Sequence, residues 1–233
     1  MIDFLSPDEW SALRISLIVA VYSVVACLPV AIGVAWLLAR GRFFGRGVLD
    51  ALAHVPLVLP PVVVGYVLLM LFGIRGPLGA FLYETFGIRL VFTTAGAVLA
   101  TAVMVFPLIV RAVRLSIDAL DLGLDEAART LGAGPLDRFR TVTLPLMAPG
   151  ILSGVIVAFA ASLGEFGAVI TFASNIPGET RTLPLAIYTA IQTPGGDAAA
   201  ARLATISFVL AVAGLIASEV AARRVRRMLG RAA

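Results

Sequence analysis

Five long apolar runs constrain this chain more than any other feature of its sequence. Residues 15–39 and 55–74 contain no charged side chain, and three further runs hold at most one acidic residue each: 90–110, 146–172 and 203–222. A helix needs about 20 predominantly apolar residues to cross the hydrocarbon core of a bilayer. The pattern predicts an all-α fold, a polytopic membrane helix bundle of about five transmembrane helices, forming one domain over residues 1–233.

Prolines mark the places where these apolar runs should bend or break. Pro60 and Pro61 lie inside the second run and should kink its helix. A sixth apolar segment, residues 182–196, contains Pro184, Pro194 and two glycines, and it is too short to span. Irregular backbone at membrane depth is tolerated only where protein or a wet cavity covers it. We therefore expect this segment to be either re-entrant or interfacial, or to form a short extra helix.

The arginine distribution predicts which side of the membrane each loop occupies. All eighteen basic residues are arginine, and thirteen of them fall in the first connection, the third connection and the C-terminal tail. Basic loops remain in the cytoplasm, so the N-terminus is expected outside and the C-terminus inside. The basic tail follows a predicted span directly, which favours this topological interpretation over an RNA-binding patch. No nucleic acid partner is expected.

Missing residue types exclude several functions. Without lysine the chain has no Walker A phosphate loop, so any ATP it depends on must be hydrolysed by another subunit. One cysteine, Cys27, and one histidine, His54, are too few for a disulfide, a two-cysteine metal site or a His-x-x-x-His metalloprotease motif. We expect no metal and no cofactor in this chain. The sequence indicates a protein that is not itself an enzyme.

The connection between the third and fourth spans, residues 118–145, carries the strongest local pattern. Four small or apolar residues recur at helical spacing: Leu124, Ala127, Ala128 and Leu131. Gly132 and Gly134 follow them. Pro135 suits the start of a second short helix, whose apolar side holds Leu136 and Phe139. This predicts a helix–turn–helix elbow on the membrane surface that fills a groove in a partner protein. A loop that merely joins two spans is the equally weighted alternative at this point.

The elbow resembles the "EAA" loop of ABC-type import permeases. The likeness rests on Glu126-Ala127-Ala128, then Gly132, then Leu144-Pro145. In that family the loop is a coupling helix that docks in a cleft of the ATP-hydrolysing subunit. The resemblance implies two ATP-binding subunits that hold ATP and magnesium, a second permease copy in a homodimer, and the bacterial cytoplasmic (inner) membrane. It assigns coupling to these residues: Glu126, Ala127, Ala128, Gly132, Leu136, Phe139, Leu144 and Pro145.

A second resemblance concerns the substrate. Residues 162–168 (Ser-Leu-Gly-Glu-Phe-Gly-Ala), 174–184 and 192–196 are similar to stretches of the molybdate permeases. Sulfate permeases share the Gly-Glu-Phe-Gly element. The resemblance implies a pathway for molybdate, a tetrahedral oxyanion, delivered by an extracytoplasmic oxyanion-binding protein. Sulfate or tungstate in the same architecture is the first alternative. A membrane-embedded enzyme such as an intramembrane protease is weaker, because no catalytic pair is evident in the spans.

The candidate pathway residues lie around the one acid deep in an apolar run, Glu165. A charge at the bilayer centre costs about 2.5–3.5 kcal/mol on insertion scales, so this carboxyl should face protein or water. It is expected to act as a gate or, as the favoured alternative, to fix its helix through hydrogen bonds, with glycines allowing close approach. An arginine at the outer mouth would steer an anion or remain a solvated charge. The full set is Gly164, Glu165, Gly167, Thr171, Ser174, Asn175 and Arg181.

Overall fold

The computed structural model describes residues 5–120 and 122–228, and these residues form helices and connecting turns with no β-strand. Arg231 of the predicted basic tail lies outside the described residues. Eleven α-helices follow one another in the described chain: α1 (Pro7–Arg40), α2 (Arg46–Val58), α3 (Pro61–Phe72), α4 (Pro77–Phe86), α5 (Thr94–Asp118), α6 (Leu122–Thr130), α7 (Pro135–Arg138), α8 (Leu144–Leu163), α9 (Gly167–Phe172), α10 (Leu183–Gln192) and α11 (Asp197–Met228). The all-α prediction is confirmed.

Helix α1 begins with a complete capping box. The backbone N–H of Glu9 donates to Oγ of Ser6 (3.3 Å), and the backbone N–H of Ser6 donates to Oε2 of Glu9 (2.7 Å). Pro7 occupies the first helical position, where its missing N–H has no cost. The helix has 34 residues and is therefore about 51 Å long, which exceeds the thickness of a bilayer core.

The second predicted span is broken. Helices α2 and α3 meet at Leu59-Pro60 with an angle of 116° between them, so residues 55–74 do not form one straight helix. Two successive prolines account for the break, because neither has an N–H to continue a helical ladder. Four helices of the described chain are long and apolar enough to span a membrane, and a fifth span exists only if the bent pair is one. The predicted number of about five spans therefore agrees with the structure if the bent pair of α2 and α3 counts as one span.

The fourth predicted span also differs from a single helix. Helix α8 ends at Leu163, three residues intervene, and the six-residue α9 follows, so residues 146–172 make two helices. At its other end α8 continues without a break from α7 through a π-helical turn, Phe139–Thr143. The predicted second short helix of the elbow is therefore the first part of a 29-residue helix, Pro135–Leu163.

Two short helices complete the chain. Residues 182–196 contain α10, a ten-residue helix that is too short to cross a bilayer. Helix α4, also ten residues, lies between the second and third apolar runs. Pro77 at the first helical position is an ordinary start signal. Gly87, in the left-handed conformation with φ of 66°, is an ordinary stop signal.

The interior has two main apolar clusters. One lies where α1, α5 and α8 meet and includes Ala31, Leu38, Ile109 and Met147. The other lies where α3, α5 and α9 meet and includes Phe172. Many large apolar side chains elsewhere are exposed, above all along α1, α3 and α11. This distribution fits a multi-pass protein whose outer surface contacts lipid or other subunits.

Candidate functional site

The elbow of residues 118–145 ends its first helix with a Schellman motif. The N–H of Ala133 donates to the carbonyl of Ala128 (3.1 Å), and the N–H of Gly132 donates to that of Arg129 (3.0 Å). Gly132 has φ of 88°, a left-handed conformation that favours glycine. The chain then turns at Gly134 and begins the next helix with Pro135. Local chemistry alone thus sets the angle between the two arms of the elbow.

The elbow presents an apolar ridge to its surroundings. Leu124 is 45% exposed, Leu131 is 88% exposed and Leu136 is 61% exposed. Glu126 and Ala127 are also exposed, so the start of the predicted motif is open to a partner. Exposed leucines beside small and charged residues are the composition of a helix that docks in a groove. The elbow is thus accessible, with a small-residue surface that permits close approach.

The eight predicted coupling residues divide into two groups. Gly132 and Leu136 lie on the exposed surface with Glu126 and Ala127, whereas Ala128 is half-buried. The later members are half-buried at the base of α8: Phe139, Leu144 and Pro145. The first group is placed to touch a partner. The second group belongs to the same continuous helix as α8.

Several of the predicted pathway residues lie at a very close approach between α3 and α9. A Cβ atom added at Gly65 would lie 2.7 Å from the carbonyl oxygen of Ala168 and 2.8 Å from Cβ of Thr171. A Cβ added at Gly167 would lie 2.8 Å from Cβ of Pro61. Glycine on both helices therefore lets their backbones touch. Gly65 was not among the predicted site residues, although it lies in the Pro-Pro-Val-Val-Val-Gly run of residues 60–65.

Glu165 caps the short helix α9. Its Oε1 accepts a hydrogen bond from the N–H of Ala168 (2.9 Å), and its side chain is half-buried. Thr171, one turn later, donates its hydroxyl to the carbonyl of Gly167 (2.8 Å). Gly164, just before the cap, is exposed. In this conformation the carboxyl of Glu165 fixes the start of α9, which is the hydrogen-bonded role expected as the alternative to a gate.

The loop after α9 holds the remaining predicted residues in one hydrogen-bond network. Arg181 Nε donates to Oδ1 of Asn175 (2.9 Å), and Nδ2 of Asn175 donates to Oγ1 of Thr189 on α10 (2.9 Å). Ser174 adopts φ of 68°, and its carbonyl accepts from the hydroxyl of the buried Thr180 (3.3 Å). The network ties the loop to α10 and holds Arg181 in a defined position.

Arg181 borders a cavity of about 190 Å³ that it shares with a charged pair. Arg202 on α11 donates to Oε1 of Glu9 on α1 through Nη2 (2.6 Å) and Nε (3.1 Å). Glu9 is only 5% exposed. The bridge fastens the start of α1 to the start of α11, and neither residue was predicted as part of a site. Their separation of 193 positions explains why no sequence pattern revealed it.

A second unpredicted charged cluster joins α2 to α5. Arg114 Nη1 donates to Oδ2 of Asp50 (2.9 Å), and Asp118 lies 3.8 Å from Nε of the same arginine. His54 bonds through Nδ1 to the carbonyl of Asp50 (2.8 Å). A cavity of about 630 Å³ adjoins this cluster. Among the described residues, no three His, Cys, Asp or Glu side chains form a group that would hold a metal ion.

Known proteins resemble this chain over nearly its whole length. The molybdenum transport system permease protein ModB of Escherichia coli (strain K12) is 56% identical over 227 residues, covering 97% of this chain and 99% of the relative. The sulfate transport system permease protein CysT of Salmonella typhimurium (strain LT2) is 37% identical over 208 residues, covering 88% and 75%.

The fold has a solved counterpart in a bacterial alginate ABC transporter in complex with an alginate pentasaccharide-bound periplasmic protein. The TM-score is 0.72 at 18% identity, with 97% of this chain and 81% of that chain covered. The family model for the inner membrane component of binding-protein-dependent transport systems matches residues 28–227. The chain belongs to this family of binding-protein-dependent transport system inner membrane components.

Proposed function

We propose that this chain is the permease subunit of an ABC importer for molybdate, in which it forms the translocation pathway. The observation that carries the proposal is the 56% identity to a molybdenum permease over 97% of the chain. The exposed elbow supports it, because a coupling segment must be accessible to a partner. The protein is a multi-pass component of the bacterial inner membrane and a transport subunit rather than an enzyme.

The energy for transport comes from a separate subunit in this proposal. Two copies of an ATP-binding subunit, which hold ATP and magnesium, each receive one elbow. Two copies of the permease form the pathway between them, with the N-terminus outside and the C-terminus inside. Closure of the ATP-binding subunits brings the two elbows together. Because Pro135–Leu163 is one continuous helix, that movement reaches the break at Gly164 and the start of α9.

An extracytoplasmic oxyanion-binding protein delivers the substrate to the outer side. Arg181 is held there by Asn175, and it forms no ion pair with an acidic side chain in the described part of the protein. It steers the anion toward the mouth, since a fixed positive charge raises the local concentration of an anion. Glu165 is not a direct ligand, because two negative charges repel.

Sulfate is the substrate that most needs to be distinguished from molybdate. Both are tetrahedral dianions, and the sulfate permease is 37% identical to this chain. The test reconstitutes the permease with its ATP-binding subunit in proteoliposomes and adds binding protein loaded with one anion at a time. We expect ATP hydrolysis to rise with molybdate-loaded binding protein and to remain basal with sulfate. If only sulfate-loaded binding protein stimulated ATP hydrolysis, the substrate would be sulfate and the proposed architecture would be unchanged.

A further inference from the structure

The seam between α1 and the continuous helix Pro135–Leu163, which ends in α8 and is called the seam between α1 and α8 below, carries two cavities at different depths of the predicted membrane. One lies at the C-terminal end of α1, beside the elbow. The other lies near the middle of α1 and α8, where α11 approaches. Both cavities open between α1 and the continuous helix Pro135–Leu163. Phe139 is the only predicted coupling or pathway residue that lines either of them.

The first cavity, the head pocket, has the chemistry of a phosphate site at a membrane interface. Its volume is about 210 Å³, and it is lined by Trp36, Arg40, Pro135, Arg138, Phe139 and Thr143. No acidic side chain appears among these described lining residues. Arg40 has no ion pair within the described part of the chain. Tryptophan beside arginine at the end of an apolar run is typical of the headgroup region.

The second cavity, the tail groove, is almost wholly apolar. Its volume is about 400 Å³, and the residues that line it include Val21, Val25, Leu152, Ile156, Phe159 and Gly214. A Cβ atom added at Gly214 would meet nothing within 4 Å, so the groove is open beside this glycine. Within a bilayer, an apolar groove on the outer surface is filled by hydrocarbon rather than by water.

The distance between the two cavities matches one leaflet. Trp36 and Val25 are eleven residues apart on α1, which corresponds to about 17 Å along a helix. Half of a hydrocarbon core of about 30 Å is about 15 Å. A molecule with its charged head between Arg40 and Thr143 would therefore extend one acyl chain into the tail groove. The basic pocket selects a negatively charged head.

We propose that the seam between α1 and α8 is a binding site for one anionic phospholipid per chain. The phosphate accepts hydrogen bonds from the guanidinium of Arg40 and the hydroxyl of Thr143, and one acyl chain fills the tail groove. The leaflet is the cytoplasmic one, which rests on the proposed orientation of the chain. Because Phe139 and Thr143 belong to the π-helical turn between elbow and span, the bound lipid stabilises the root of the elbow.

Native mass spectrometry of the delipidated full-length permease in detergent tests the proposal, with phosphatidylglycerol and phosphatidylcholine added separately. We expect one phosphatidylglycerol to bind per chain and phosphatidylcholine to bind more weakly. Arg40→Gln should weaken phosphatidylglycerol binding about fivefold, since one arginine near an anionic surface is worth about that factor. Arg40→Lys should retain most of the binding. The matched control is Arg42→Gln, an exposed arginine that does not line the pocket.

A filled groove provides a second, independent test. Gly214→Leu places a side chain in the tail groove without a backbone clash and should lower binding of the same lipid. Gly33→Leu is its control, because a Cβ atom there also meets nothing within 4 Å and Gly33 does not line the groove. Equal binding of both lipids would overturn the proposal, as would unchanged binding in Arg40→Gln. Displacement by millimolar inorganic phosphate, or by the ATP-binding subunit, would also overturn it, by indicating a simple anion site or a subunit interface.

Discussion

Gly65→Ala should loosen the contact between α3 and α9, on which the position of the pathway residues depends. The added methyl group would lie 2.7 Å from the carbonyl oxygen of Ala168 and 3.0 Å from its Cα. Both are backbone atoms of a helix, so no flexible side chain can move aside. Ordinary contact needs a distance of at least 3.4 Å, and α9 must shift by the difference.

The magnitude follows from two opposing effects. Overpacking of a close contact costs about 1–3 kcal/mol. Replacing glycine by alanine within a helix contributes about 0.5–1 kcal/mol in the other direction. The expected net destabilisation is about 0–2.5 kcal/mol, which lowers the Tm of a chain of this size by up to about 10 °C. Gly33→Ala is the matched control, since the same methyl group on α1 meets nothing within 4 Å. It should leave the Tm unchanged or raise it slightly.

The assay is thermal unfolding of the purified full-length permease variants in one detergent, followed by circular dichroism. A Tm for Gly65→Ala equal to or above that of Gly33→Ala would refute the reasoning, because both glycines lie inside helices and only at Gly65 would a methyl group meet backbone atoms. ATP-driven uptake by the reconstituted complex provides a second readout. We expect Gly65→Ala to reduce uptake, since displacing α9 also displaces the cap at Glu165.

Three further changes have defined outcomes. Arg202→Gln leaves the buried carboxylate of Glu9 without its charged partner and should cost about 1–3 kcal/mol, since Arg202 is partly exposed; a double-mutant cycle with Glu9→Gln, measured by denaturation, should give a nonzero coupling energy. Gly132→Ala forces a left-handed conformation on alanine at a cost of about 1–2 kcal/mol; the Tm should fall by no more than about 2–8 °C, while stimulated ATP hydrolysis should fall strongly. Glu165→Ala removes the cap of α9 and should lower the stability of the protein by about 1 kcal/mol, whereas Glu165→Gln retains a hydrogen-bond acceptor and should unfold at a Tm close to that of the wild type. An equal loss of stability in both variants would indicate that the negative charge of Glu165, rather than its hydrogen bond, stabilises the protein.

The spans were predictable because the bilayer imposes a simple requirement on each of them. A run of about 20 apolar residues without charge has few alternatives to a membrane helix. The breaks were only partly predictable. Pro60 and Pro61 indicated a kink, but an angle of 116° depends on α9 packing against α3, which no local pattern contains. Helix α8 ends at Leu163, directly before Gly164 and Glu165, which interrupt the apolar run of residues 146–172.

The elbow was predictable for a different reason, which is that its geometry is local. Gly132, Gly134 and Pro135 determine the turn through their own backbone preferences. The continuity of its second arm with α8 was not predictable, because Leu144-Pro145 reads equally well as a helix start. Contacts between distant positions were missed altogether. The bridge from Glu9 to Arg202 and the hydrogen bond from the N–H of Leu183 to Oγ of Ser16 (2.6 Å) each join opposite ends of the chain.

Coupling through the elbow is the central claim, and Leu131 tests it most directly. This side chain is 88% exposed, so Leu131→Ala should fold normally while removing an apolar anchor from the docking ridge. Leu115→Ala is the control, an exposed leucine on α5 outside the elbow's exposed ridge. The measurement is ATP-dependent uptake of radiolabelled molybdate by proteoliposomes that contain the permease, the ATP-binding subunit and loaded binding protein. We predict that Leu131→Ala lowers uptake at least fivefold while Leu115→Ala does not. Equal uptake by both variants would contradict the assignment of the elbow as the coupling site.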